Sequence, residues 1–78
     1  PNPFHTQLMY SLHLPLASTV EVHLLDMSGR EVRVQSLGYL SGGKYIMEFP
    51  DISSLPPGMY VMQLRHDSGT IQRQVVKR

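Results

Sequence analysis

Apolar and polar residues alternate along most of this chain in short runs, and each run stops at turn chemistry. In "LMYSLHL" (8–14), Leu8, Tyr10, Leu12 and Leu14 alternate with Met9, Ser11 and His13. "TVEVHLLD" (19–26) sets Val20, Val22 and Leu24 against Glu21, His23 and Leu25. "EVRVQ" (31–35) sets Val32 and Val34 against Glu31, Arg33 and Gln35. "KYIMEF" (44–49) gathers Tyr45, Met47 and Phe49 on one side, and "MYVMQLR" (59–65) gathers Tyr60, Met62 and Leu64. "TIQRQVVK" (70–77) is mixed: Ile71 and Val75 share a face and Val76 lies on the other. Successive side chains of a strand point to opposite faces, so this period predicts strands with one buried face. No window sustains a helical spacing, and the Val, Ile and Thr content favours strands.

The breaks agree. "DMSG" (26–29) and "HDSGT" (66–70) are short connections rich in Asp, Ser and Gly, and both read as β-hairpin turns. "SGG" (41–43) precedes the run at 44–49. "PDISSLPPG" (50–58) is a longer loop, because its adjacent prolines lack N–H donors and exclude a central strand; Ser53, Ser54 and Leu55 can form one short turn within it. Six or seven short strands predict an all-β chain. Two packed sheets bury the inward sides of both, so the expected fold is an antiparallel β-sandwich. Strand order is not legible at this level.

The 78 residues suffice for one domain, expected to span 1–78. With 41% hydrophobic and 17% charged residues the composition is that of a globular chain. A net charge of +1 supplies no field for gripping nucleic acid or an acidic membrane. There is no cysteine, which in a small domain favours a reducing compartment. No apolar run approaches the ~20 residues of a membrane-spanning helix, and no signal peptide is visible. The abrupt opening "PNPF" reads as that of a piece of something longer.

Chemistry-bearing residues are present without a pattern that uses them. His13 and His23 sit on predicted outward faces and would approach each other if their strands paired. A structural zinc wants four N or S ligands, however, and solvated strand histidines are the simpler reading. Asp26, Ser28 and His66 lie in predicted turns, without the elbow sequence of a serine nucleophile. Asp26 and Ser28 are explained as turn formers. "SGGK" lacks the spacing and helix of a phosphate loop. Tyr10, Tyr45 and Tyr60 fall on inward positions, so core packing outweighs base stacking, and the methionines read as core or half-core filler. No catalytic residue, metal site or cofactor is expected. A carbohydrate-binding role lacks support, since there is no Trp and no evident aromatic platform.

The end of the chain is different. Arg73, Lys77 and Arg78 cluster in a strand that runs into the terminus. One reading is a solvated edge strand blunted by its charges. The other is an exposed terminal strand that a receptor reads, with its free N–H and C=O groups open to β-augmentation.

Four segments in order, "PNPF" (1–4), "VEVHLLDMSGREV" (20–32), "LPPGMYVMQL" (55–64) and "GTIQRQVVKR" (69–78), resemble the type A C-terminal sorting domain of the type IX (Por) secretion system of Bacteroidetes. The resemblance covers essentially the whole chain. Pro1, Asn2 and Pro3 match the opening motif of that family; Asp26, Gly29 and Arg30 match its central hairpin; Gly58 and Tyr60 match its G-x-Y motif; Val75, Val76, Lys77 and Arg78 match the terminal apolar-then-basic motif. Gln72 and Gln74 depart from it by diluting the apolar content of the last strand.

The resemblance implies a seven-stranded Ig-like sandwich and a non-catalytic role. It implies an N-terminal cargo that reaches the periplasm by a Sec signal peptide and is then directed through the outer membrane to the cell surface or the medium. It implies three kinds of partner: the translocon, an outer-membrane shuttle protein, and a sortase-like peptidase that usually cuts upstream of the domain. Val75, Val76, Lys77 and Arg78 are then the expected recognition residues, with Lys77 and Arg78 dispensable for the fold. Self-association through edge strands is a further expectation. The rival reading is an Ig-like adhesion or accessory module of a surface enzyme, since the sandwich supports unrelated functions.

Overall fold

The computed structural model describes residues 2–78 and is all-β. Its seven strands are β1 (Asn2–Phe4), β2 (Leu8–Leu14), β3 (Ser18–Asp26), β4 (Glu31–Leu40), β5 (Gly43–Phe49), β6 (Gly58–His66) and β7 (Gly69–Lys77). They form a five-stranded sheet of order β1-β7-β6-β3-β4 and a two-stranded sheet of β2 and β5. All pairings are antiparallel except β1 with β7, which is parallel. This is the immunoglobulin-type arrangement: β2 and β5 occupy the B and E positions, and β3, β6 and β7 the C, F and G positions.

The alternation read from the sequence is the core. Leu8, Tyr10, Leu12 and Leu14 of β2 face Val20, Val22 and Leu24 of β3 and Tyr60, Met62 and Leu64 of β6, all buried. Tyr45 and Met47 pack against this cluster from β5, and Phe49 closes it. Ile52 and Leu55 of the 50–57 loop are also buried, so that loop plugs one end of the sandwich. Tyr39 is exposed, as are Met9 and Met27, so those two methionines fill no core.

Strand β4 departs from expectation. It runs on to Leu40, and bulges interrupt its pairing with β3 between Val20 and Glu21 and between Leu24 and Leu25. Each bulge adds an unpaired residue and reverses the phase of the side chains. Val34 therefore pairs beside the outward His23 and is exposed, while Arg33 and Gln35 pair beside the inward Leu24 and Val22. Gln35 bridges the sheets: its Oε1 accepts from the Tyr10 hydroxyl at 2.8 Å and its Nε2 donates to the Glu48 carbonyl at 3.0 Å.

The terminal strand also departs. It is not an edge along its whole length, because β1 covers its last three residues, with Asn2, Pro3 and Phe4 opposite Val75, Val76 and Lys77. Three residues are too few for periodicity to reveal, and β1 was not among the runs read above.

The two histidines do not meet. β2 and β3 lie in different sheets. His23 is buried between the carboxylates of Glu21 and Glu31, with its Nε2 3.0 Å from Glu21 Oε1. Among the described residues no group of three His, Cys, Asp or Glu is arranged to hold a metal ion.

Candidate functional site

The motif segments, far apart in sequence, fall side by side at one end of the five-stranded sheet. Asn2 is opposite Val75, Val75 opposite Tyr60, and Tyr60 opposite Asp26. The next rows set Pro3 beside Val76 and Met59, and Phe4 beside Lys77 and Gly58. Pro1 lies outside the described residues. The Phe4 and Tyr60 rings pack across β7 with centroids 6.5 Å apart, tilted by 53°.

Each motif has a local physical cause. Asp26 organises the β3–β4 turn: its Oδ1 accepts from the backbone N–H of Ser28 and of Arg30, both at 3.0 Å, and from the Ser28 hydroxyl at 2.6 Å. Its Oδ2 accepts from Arg30 Nε at 3.2 Å. The Ser28 hydroxyl, with the Arg30 N–H next, holds the Asp26 carboxyl below its ordinary value. The Gly29 N–H closes the turn onto the Asp26 carbonyl at 3.0 Å. Gly29 has φ +87°, a left-handed conformation that glycine adopts in this hairpin turn at no steric cost. Asp26 and Ser28 are thus turn formers. His66 begins the turn at the far end of β6, six residues or about 20 Å along the strand from Tyr60. The three do not assemble.

Gly58 and Tyr60 form a tyrosine corner. Tyr60 stands at the start of β6, and its hydroxyl donates to the Pro56 carbonyl at 2.5 Å. Gly58, at φ +151°, lets the chain turn from the two prolines into the strand.

The proline-bearing loop has carbonyls with no strand to pair with, and buried backbone acceptors must be satisfied. Three side chains of the larger sheet reach them. Lys77 Nζ donates to the Ser53 and Leu55 carbonyls, both at 2.6 Å. Tyr60 takes Pro56, and Arg33 Nε donates to the Asp51 carbonyl at 2.8 Å. The basic end of the chain therefore divides. Val75 and Lys77 are buried inward, Val76 is half-buried on the outer face, and Arg78 is exposed. The Arg78 backbone N–H donates to the Phe4 carbonyl at 2.9 Å, and the residue borders a shallow cleft with Pro3, Phe4 and His5. The expectation that both basic residues stand clear of the fold is corrected for Lys77.

Sequence reading overlooked Phe4, Arg33 and the loop carbonyls. Arg33 carried no signal, because the bulge that turns it inward is invisible to alternation. Phe4 was legible only as part of the opening motif.

The sequence model of the secretion system C-terminal sorting domain matches residues 1–78, the whole chain. The chain belongs to this family. It is a C-terminal sorting signal for type IX secretion, an all-β domain whose role implies the secretion machinery as partner, a cargo protein on its N-terminal side, and export through the outer membrane to the surface or extracellular space. No curated protein matches the chain. All four motif segments that carried the resemblance belong to this sorting domain, and each contributes a residue to the row Asn2–Val75–Tyr60–Asp26 at one end of its larger sheet.

Proposed function

We propose that residues 1–78 form one folded, non-catalytic address, and that the end of the sheet bearing Arg78 is the part the machinery reads. The observation that carries this is the convergence of the motif segments on the row Asn2–Val75–Tyr60–Asp26. Convergence of distant segments on one edge is what a shape read by a receptor requires, and a linear tag does not need it. Val76 and Arg78 offer side chains to the translocon or to a shuttle protein. Val75 and Lys77 hold the strand and the loop in the shape that is read. The cargo passes through the periplasm, and a sortase-like peptidase removes the domain by cutting upstream of it.

The test is export of a fluorescent reporter fused ahead of residues 1–78 in a bacterium with a type IX system. Arg78→Ala and Val76→Ser should leave the melting temperature nearly unchanged and hold the reporter in the periplasm. Undiminished export of both variants would sink the assignment of recognition to this end.

A further inference from the structure

Among the described residues β1 pairs with β7 only at Val75–Lys77, and none of them pairs with that side of Gly69–Gln74. The direction of the backbone groups there can be worked out. The two-residue turn sets His66 opposite Gly69 as a hydrogen-bonded pair, so odd-numbered residues of β7 bond to β6. Even-numbered ones face the other way, as the Arg78 N–H bonded to Phe4 confirms. The N–H groups of Gln72 and Gln74 thus point out of the open edge. Pro3, one residue from Phe4, has its nitrogen on the side of β1 away from β7, where a missing N–H costs nothing.

The inward face beside this edge is unfinished. Ile71 is an inward-facing residue and is 38% exposed. Arg73 turns inward, and its Nη1 reaches the Ser11 carbonyl of β2 at 2.6 Å. A groove of roughly 490 Å³ lies there, lined by Leu12, His13, Lys44, Tyr45, Ile46 and Arg73.

We propose that the segment joining cargo to sorting domain continues β1 in parallel along Thr70–Gln74 and closes this side of the sandwich. The inference rests on the reading that a cargo precedes the domain. The register supplies the occupant: parallel to β7 and opposite Val75 at Asn2, the chain running upstream passes Arg73 and then Ile71. Its inward residues would meet a guanidinium at the first position and a bare isoleucine at the second, so a polar or acidic side chain followed by an apolar one fits. The linker leaves the domain as a paired strand, and a peptidase meets free chain only beyond it.

Amide hydrogen exchange of the cargo-bearing protein, compared with residues 1–78 alone, tests this. The Gln72 and Gln74 amides should exchange about tenfold more slowly, or better, when the upstream segment is attached. Equal exchange in the two overturns the proposal. Protection that appears in residues 1–78 alone and grows with concentration also overturns it, by giving the edge to a second copy. Gln72→Pro removes no bond to β6, so it should leave the melting of residues 1–78 nearly unchanged while a broad-specificity protease cuts the joined protein closer to the domain. Unaltered cleavage would contradict the docking. Export plays no part in these readouts, so a failure here is distinct from a failure of the address.

Discussion

Lys77 Nζ lies 2.6 Å from the carbonyl oxygen of Leu55, on the far side of a loop that holds two adjacent prolines. A second bond of the same length goes to Ser53. The penultimate residue of the chain therefore serves as the pin of a loop more than 20 positions earlier. Its neighbour Arg78 points into solvent.

That division predicts opposite outcomes for two adjacent basic residues. Lys77→Met removes the donor from two carbonyls and should destabilise the domain by about 1–3 kcal/mol or more. Arg78→Ala should stay within about 0.5 kcal/mol of the parent. Urea unfolding of both variants checks this, and equal midpoints would contradict the buried role of Lys77.

Tyr60→Phe isolates the tyrosine corner. The ring keeps its packing against Phe4, and only the bond to the Pro56 carbonyl is lost. A loss of about 1 kcal/mol is expected, with an unchanged denaturant slope, because no surface is newly exposed in the folded state. A neutral substitution would mean the corner carries no stability.

Asp26 sets an acid limit on the β3–β4 turn. The Ser28 hydroxyl and the Arg30 N–H hold its carboxyl below 3.8. A depressed folded value means that the contribution to stability is fully present above that ordinary value and is lost as pH falls through the folded one. The stability gap between the parent and Asp26→Asn should therefore be constant near neutrality and shrink below about pH 4. A gap that stays constant as pH falls would contradict the account.

Tyr10 should resist ionisation. Burial pushes its phenol up to about 12. The neutral form is favoured in the folded state, so its contribution is present below pH 10 and fades as pH rises through the folded value. A phenolate component near pH 12 should therefore be missing from the ultraviolet titration of Tyr10→Phe. Its persistence in that variant would contradict the account of Tyr10.

Sequence alone determined the elements whose two faces differ. Leu8 to Leu14, Val20 to Leu24 and Tyr60 to Leu64 announce their buried sides because a strand repeats every two residues and the core accepts only one side. Asp26 and Gly29 announce their turn because its bonds are local. Tertiary structure decided what depends on non-local pairing. Bulges against β3 turned Arg33 and Gln35 inward and Val34 outward, since one unpaired residue reverses every side chain after it. Neighbouring strands decided that Lys77 is buried and Arg78 exposed, although the two are equivalent as sequence. Alternation alone says that successive residues face opposite ways; only the loop packed against β7 says which of the two finds carbonyls to bond.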